Sequence, residues 1–187
     1  MLYLSRIIEN PQQLILSRAK EILHNEGFKK LSMRNLSKKC GIALGTIYNY
    51  YSTKEELIIE MMSDYWKENL YVLEDILNSD DTLYIKLNEI FNKLSIFIKT
   101  FKEVWLKPEF YENPGCIKKS LEKENIYIEK LVIMIERILL KEEENNKIKI
   151  RLDSYETAKF ILMNYITMVQ MPIFKYSSFE MFLKELL

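Results

Sequence analysis

Histidine, cysteine, glycine and proline are all scarce in this sequence. The 187 residues include one histidine, two cysteines, four glycines and four prolines. A single histidine, His24, leaves little scope for a histidine-based metal site or a Ser-His-Asp triad. We therefore expect no metal site, no cofactor and no enzyme. Cys40 and Cys116 form no C-x-x-C pair, which is typical of reduced thiols in a cytoplasmic protein.

Membrane and targeting signals are also missing. No apolar run reaches the roughly 18 residues that a membrane span needs, because Glu136 and Arg137 interrupt the run over 131–140. No basic stretch followed by an apolar core opens the chain, so we expect no signal peptide. Apolar residues make up 48% of the chain and charged residues 29%, which is typical of a globular protein. Because glycine and proline are few, we expect an all-α fold.

The net charge is zero, but the charges are unevenly distributed. Residues 1–54 contain nine Lys and Arg residues against three acidic ones, a balance of +6, and the rest of the chain has a balance of −6. A basic end on an acidic body is expected where that end meets phosphate groups. The charge pattern therefore favours a nucleic-acid contact near the N-terminus.

Capping signals divide the N-terminal part into three short helices. The expected limits are Asn10 to Gly27, Ser32 to Cys40, and Leu44 to Tyr51. Asn10 and Ser32 can accept hydrogen bonds from the first turns, and Gly27 suits the left-handed conformation that ends many helices. Two short helices joined through a turn at Gly41 are typical of a helix-turn-helix, whose second helix enters the major groove.

The third helix is expected to expose an unusual face. Ile47 and Tyr51 are four residues apart and should point inward. Four residues are then expected on the outer face: Leu44, Gly45, Tyr48 and Asn49. Asn49 can pair with the edge of an adenine, and Thr46 or Leu44 can touch a thymine methyl group. Tyrosine hydroxyls and Lys54, at the positive start of the next helix, suit phosphate oxygens.

Many positions between Gly41 and Leu57 follow one known pattern. They are Gly41, the run Gly45-Thr46-Ile47-Tyr48, the aromatic pair Tyr50-Tyr51, and Lys54 with Leu57; upstream they are Phe28, Ser32, Arg34 and Leu36. This part of the chain, about residues 10–60, resembles the DNA-binding domain of the tetracycline-repressor (TetR) family.

The resemblance implies roles for eight residues. Contacts mainly to the DNA backbone would come from Arg34, Thr46, Tyr48, Tyr50 and Lys54. Contacts facing the bases would come from Leu44, Gly45 and Asn49. Ala43 and Leu44 stand where family members often carry polar residues, so we expect more apolar and shape-based readout there.

Helical signals continue to the end of the chain. We expect a fourth helix, opened by a capping box at Ser52 and Glu55, and about nine helices in total. We expect one short helix within the loop region near Pro108 and Pro114, and Ser177-Ser178 should precede the last helix. We interpret residues 1–54 as a helix-turn-helix domain and residues 55–187 as a helical bundle for dimerisation and ligand binding.

The last two long helices are apolar on more than one face, which favours burial on two sides and hence a homodimer. The resemblance also implies a homodimer, a pseudo-palindromic operator on double-stranded DNA, and a small-molecule inducer held among the middle helices. Large or flexible apolar residues line such cavities. The candidates are Phe97, Phe101, Trp105, Tyr127, Met134, Met163 and Tyr165.

Two alternatives to a ligand-released repressor stay open. The same DNA-binding fold could carry a body that is a protein-interaction platform without an inducer. An all-helical enzyme or cofactor carrier is the other alternative, and it would need a nucleophile-base pair or a ligand cluster. His24 lies near the end of the first helix without such neighbours in the sequence.

Overall fold

A computed structural model describes residues 10–105 and 114–187. In these residues the chain forms eight α-helices and one 3-10 turn, and no strand. The helices are α1 (Pro11–Glu26), α2 (Met33–Cys40), α3 (Leu44–Tyr50), α4 (Lys54–Asn78), α5 (Leu83–Trp105), α6 (Pro114–Glu144), α7 (Ser154–Gln170) and α8 (Tyr176–Leu186). The prediction of an all-α fold with about nine helices is confirmed. The short helix expected near Pro108 falls largely outside the described residues.

Side chains cap the first two helices as the sequence predicts. The Asn10 side chain accepts a hydrogen bond from the Gln13 amide at 3.0 Å, and Ser32 Oγ accepts one from the Asn35 amide at 3.2 Å. The glycines behave differently from each other. Gly41 adopts the left-handed helical conformation with φ 67° and ψ 29°, whereas Gly27 has φ 81° and ψ 169°. The left-handed helical conformation predicted for Gly27 is therefore wrong, although its positive φ still favours glycine.

Two other helix starts are shifted from their predicted positions. The capping box of α4 uses Thr53 and Glu56 rather than Ser52 and Glu55. Thr53 Oγ1 accepts from the Glu56 amide at 3.1 Å, and the Glu56 carboxylate accepts from the Ser52 amide at 2.9 Å. Helix α8 begins at Tyr176, so the two serines predicted to precede it lie in its first turn.

The described chain divides into two compact units. The first contains residues 10–64 and 114–120, and here α2 packs against both α1 and α3. Its core includes the buried side chains of Ile15, Ile22, Leu36 and Ile47.

The second unit contains residues 65–105 and 121–187, and here α5 packs against α7. Its core includes Leu94 and Tyr165, whose hydroxyl donates to the Leu87 carbonyl oxygen at 2.9 Å. Across residues 10–105 and 114–187, no helix is both long and apolar enough to cross a membrane.

Candidate nucleic-acid interface and ligand cavity

The turn between α2 and α3 is held by several hydrogen bonds. The Gly41 amide donates to the Lys38 carbonyl oxygen at 3.3 Å, and the Ile42 amide donates to the Ser37 carbonyl oxygen at 3.2 Å. Ser37 Oγ donates in return to the Ile42 carbonyl oxygen at 2.6 Å. Because this turn follows directly from the left-handed Gly41, it fixes the direction in which α3 leaves α2.

Helix α3 separates an inner from an outer face. Ile47 and the following Tyr51 are buried, as the four-residue spacing predicts. Tyr48 is 46% exposed and Tyr50 42% exposed. Of the other predicted contact residues on this helix, Gly45 and Asn49 are exposed, and Leu44 and Thr46 are half-buried. An exposed pair of tyrosines on a seven-residue helix is available for contact with a partner.

Gly45 has no structural requirement within the chain. A Cβ atom added there would meet no atom within 4 Å, and the residue lies in regular helix without a positive φ. Glycine in a helix is less stable than alanine by roughly 0.5–1 kcal/mol. The fold therefore gives no reason for glycine at this position, and a close approach of another molecule to the α3 backbone would give one.

The seven basic residues between Pro11 and Cys40 fall into two groups. Three are in ion pairs: Arg18 with Glu21 at 2.6 Å, Lys20 with Asp64 at 2.6 Å, and Lys39 with Glu26 at 2.9 Å. Four are exposed and form no ion pair within the described residues: Lys29, Lys30, Arg34 and Lys38. The second group, which contains the predicted contact Arg34, leaves positive charge available to phosphate groups.

Lys54 has a structural contact as well as its predicted contact with DNA. Its Nζ atom lies 3.8 Å from the centroid of the Phe28 ring, a cation-π arrangement. Lys54 is also the first residue of α4. Phe28 itself is half-buried.

A cavity of about 100 Å³ lies within the second unit. Its apolar lining is Trp66, Leu94, Phe97, Ile98, Phe101, Ile128, Leu131, Leu162 and Ile166, and its polar lining is Lys102, Glu124 and Gln170. Two of the predicted ligand residues, Phe97 and Phe101, belong to this lining. An engineered apolar cavity of about 150 Å³ accepts benzene, so this cavity accepts a smaller group without rearrangement.

The remaining predicted ligand residues lie elsewhere in the second unit. Trp105 and Tyr127 are buried one ring away from the lining: Trp105 lies 6.4 Å from Phe101, and Tyr127 lies 5.8 Å from Trp66, between ring centroids. Met134 lines a separate groove with Lys67, Leu70, Tyr71, Glu74, Lys130 and Ile133. Met163 is 43% exposed on the outside of α7, and Tyr165 is fully buried in the core.

Sequence reasoning did not single out Trp66 or Glu124. Trp66 is one of only two tryptophans in the chain. It lies inside the predicted fourth helix, where no break or motif marks it as part of a site. Glu124 stands on the apolar stripe of α6, three residues after Leu121 and four before Ile128. A charged residue on such a stripe was the available signal for a polar group in the cavity.

The Glu124 carboxylate has no hydrogen bond or ion pair with any of the residues described in the structure. The side chain is half-buried, and this burial raises the pKa of the Glu124 carboxyl group above its ordinary value. Throughout residues 10–105 and 114–187, no group of three or more His, Cys, Asp or Glu side chains is placed to hold a metal ion.

Comparison with known proteins agrees with this architecture. Residues 15–61 match the family described as "Bacterial regulatory proteins, tetR family". The HTH-type transcriptional regulator YvdT of Bacillus subtilis, itself uncharacterized, is 24% identical over 148 residues, which are 79% of this chain and 75% of the relative.

Solved structures share the fold at lower identity. A transcriptional regulator from Cytophaga hutchinsonii has a TM-score of 0.68 and 18% identity, over 81% of this chain and 76% of that one. The regulator FadR from Bacillus subtilis, solved in complex with stearoyl-CoA, has a TM-score of 0.57 and 20% identity, over 84% of both chains.

Proposed function

Because this chain is a DNA-binding transcriptional regulator of the TetR family, we propose that it is a homodimeric repressor released from its operator by a small ligand. Residues 1–54 bind DNA in this proposal, and residues 55–187 dimerise and bind the ligand. The observation that carries it is the outer face of α3, where two half-exposed tyrosines accompany a glycine that the fold does not require. In this proposal the protein acts in the cytoplasm, where its DNA partner lies, and it has no catalytic role.

Specific readout would come from α3 and its surroundings. Asn49 would pair with an adenine edge, and Thr46 and Leu44 would touch thymine methyl groups. The exposed Arg34, Tyr48 and Tyr50 would contact the DNA backbone. Lys54 would reach a phosphate from the start of α4, at the cost of its contact with the Phe28 ring.

The first experiment isolates an operator by selecting bound duplexes from a random library, and then measures binding by fluorescence anisotropy. Replacing Tyr48 with alanine should weaken binding at least tenfold while the protein stays folded. Tyr71 is also an exposed tyrosine but lies in the second unit, so Tyr71→Ala is the matched control. Only non-specific, salt-sensitive binding in the selection would contradict the regulator proposal.

Dimerisation is supported by exposed apolar residues on α7, α8 and the segment between them. They are Phe160, Met163, Met171, Ile173, Phe174, Met181 and Phe182. Soluble monomers rarely expose so many neighbouring apolar side chains, and symmetric pairing of two copies would bury them. A two-fold axis would set the two α3 helices about 34–36 Å apart and so require a pseudo-palindromic operator.

The cavity supports a ligand with an apolar or aromatic part, because its lining contains Trp66, Phe97 and Phe101. FadR from Bacillus subtilis binds stearoyl-CoA, but a cavity of about 100 Å³ would accept a long acyl chain only if its side chains moved. The small volume also supports a second candidate function, in which residues 55–187 are a protein-interaction platform without an inducer. Growth of the cavity in a ligand-bound crystal structure would favour the inducer, whereas an unchanged, empty core would favour the platform.

A further inference from the structure

The walls of the cavity bring three aromatic rings together. Between ring centroids, Trp66 lies 4.4 Å from Phe97 and 5.6 Å from Phe101, and the two phenylalanine rings lie 5.9 Å apart. Trp66 is tilted by 59° to Phe97 and 57° to Phe101, so the rings do not form one flat stack. Aromatic rings arranged around a small space attract cations through their electron-rich faces.

The polar lining of the cavity includes one carboxylate, that of Glu124. Glu124 is half-buried, and within the described residues it has no partner that would compensate its charge. Lys102 belongs to the same lining, but it is exposed and forms no salt bridge with Glu124. Lys102 and Gln170 are exposed and mark the solvent side of the cavity.

An uncompensated carboxylate beside apolar walls is unfavourable, and the arrival of a positive charge would relieve it. A neutral apolar ligand would do the opposite, because it would remove water from the carboxylate without replacing it. An anionic ligand would be repelled.

We propose that this cavity binds an organic cation, whose positive head lies between the Glu124 carboxylate and the rings of Trp66, Phe97 and Phe101. The volume of about 100 Å³ suits a head of the size of a trimethylammonium group. The rest of the ligand extends past Lys102 and Gln170 toward solvent. This inference rests on the proposed function in one respect, namely that the cavity is the inducer site.

The test compares a cation with its neutral isostere. Phenyltrimethylammonium and tert-butylbenzene have the same shape and differ in charge, and isothermal titration calorimetry measures both against the full-length protein. We expect the cation to bind at least tenfold more tightly. Glu124→Gln should remove most of this preference, because it keeps the shape of the side chain and removes the charge. Glu122→Gln is the matched control, since Glu122 is an exposed acid on the same helix, and it should bind both compounds as the wild type does.

Two results would overturn the inference. Equal affinity for the two compounds in the wild type would show that charge does not select the ligand, and this comparison requires no variant. An unchanged preference in Glu124→Gln would show that the carboxylate is not the counter-ion. Operator binding, measured in parallel by anisotropy, separates these outcomes from a failure of the regulator proposal: loss of the cation preference with intact specific DNA binding contradicts the ligand class alone.

Discussion

Replacement of Gly45 by alanine should stabilise the protein and weaken its binding to DNA. Gly45 is the second residue of α3, and an added Cβ would meet no atom within 4 Å. The new methyl group therefore causes no clash in the folded chain, while it reduces the conformational freedom of the unfolded chain. We expect a gain of about 0.5–1 kcal/mol in the free energy of unfolding. For a chain of this size the melting temperature should rise by about 1–4 °C.

The effect on DNA binding has the opposite sign. If the α3 backbone approaches the duplex closely at Gly45, a methyl group there pushes the helix outward. A loss of only about 0.7 kcal/mol per protomer would weaken binding by a dimer about tenfold, because both copies carry the change. Thermal unfolding by circular dichroism and operator binding by anisotropy, both at one fixed salt concentration, measure the two effects.

Gly41 provides the matched control. A Cβ added at Gly41 also meets no atom within 4 Å, but Gly41 has φ +67°. Gly41→Ala should therefore cost about 1–2 kcal/mol of stability, since the left-handed conformation is unfavourable for alanine. A general loss of folding would lower stability and DNA affinity together, as expected for Gly41→Ala. Undiminished operator affinity in a stabilised Gly45→Ala would refute the close approach at this position.

Three further substitutions test the second unit. Tyr165→Phe removes the hydrogen bond to the Leu87 carbonyl oxygen and should cost about 1 kcal/mol in thermal unfolding; no change would show that the bond is not formed in solution. Phe182→Glu, at a residue 65% exposed, should give folded monomers in sedimentation velocity, and persistent dimers would exclude it from the interface. Glu124→Gln should exceed wild-type stability near neutral pH. The pKa of Glu124 is raised in the folded state, so the buried charge lowers the stability of the wild type in full above that pKa. This destabilisation disappears as the pH falls below the pKa of the unfolded state, about 4.3. A difference that does not depend on pH would contradict the burial of this charge.

The helix-turn-helix could be predicted in detail because its signals are local. Asn10 and Ser32 cap helices through their own side chains, and Gly41 adopts the left-handed conformation, which glycine tolerates better than other residues do. Such effects depend on a few neighbouring residues and survive in any fold that keeps the helices. The inward positions of Ile47 and Tyr51 follow from the helical period alone.

The shift of the α4 capping box shows the limit of local signals. Residues 52–56 contain two overlapping boxes, one starting at Ser52 and one at Thr53. Both satisfy the same pattern of a hydroxyl followed three residues later by a glutamate. The structure uses Thr53 and Glu56, and Ser52 takes part through its amide and hydroxyl groups, which both donate to the Glu56 carboxylate.

The cavity could not be derived in this way, because a large apolar residue has the same pattern whether it lines a space, fills the core or faces a partner. Phe97, Tyr165 and Met163 share this sequence pattern, but Phe97 lines the cavity, Tyr165 lies in the core and Met163 is exposed. Met163 is the informative case. Helix α7 buries one apolar face against α5 and exposes Met163 and Phe160 on another, so its position favours contact with a second copy of the chain over contact with a ligand. Glu124 says more about the proposed ligand than any of these apolar residues, because a partly buried charge favours a partner of opposite charge.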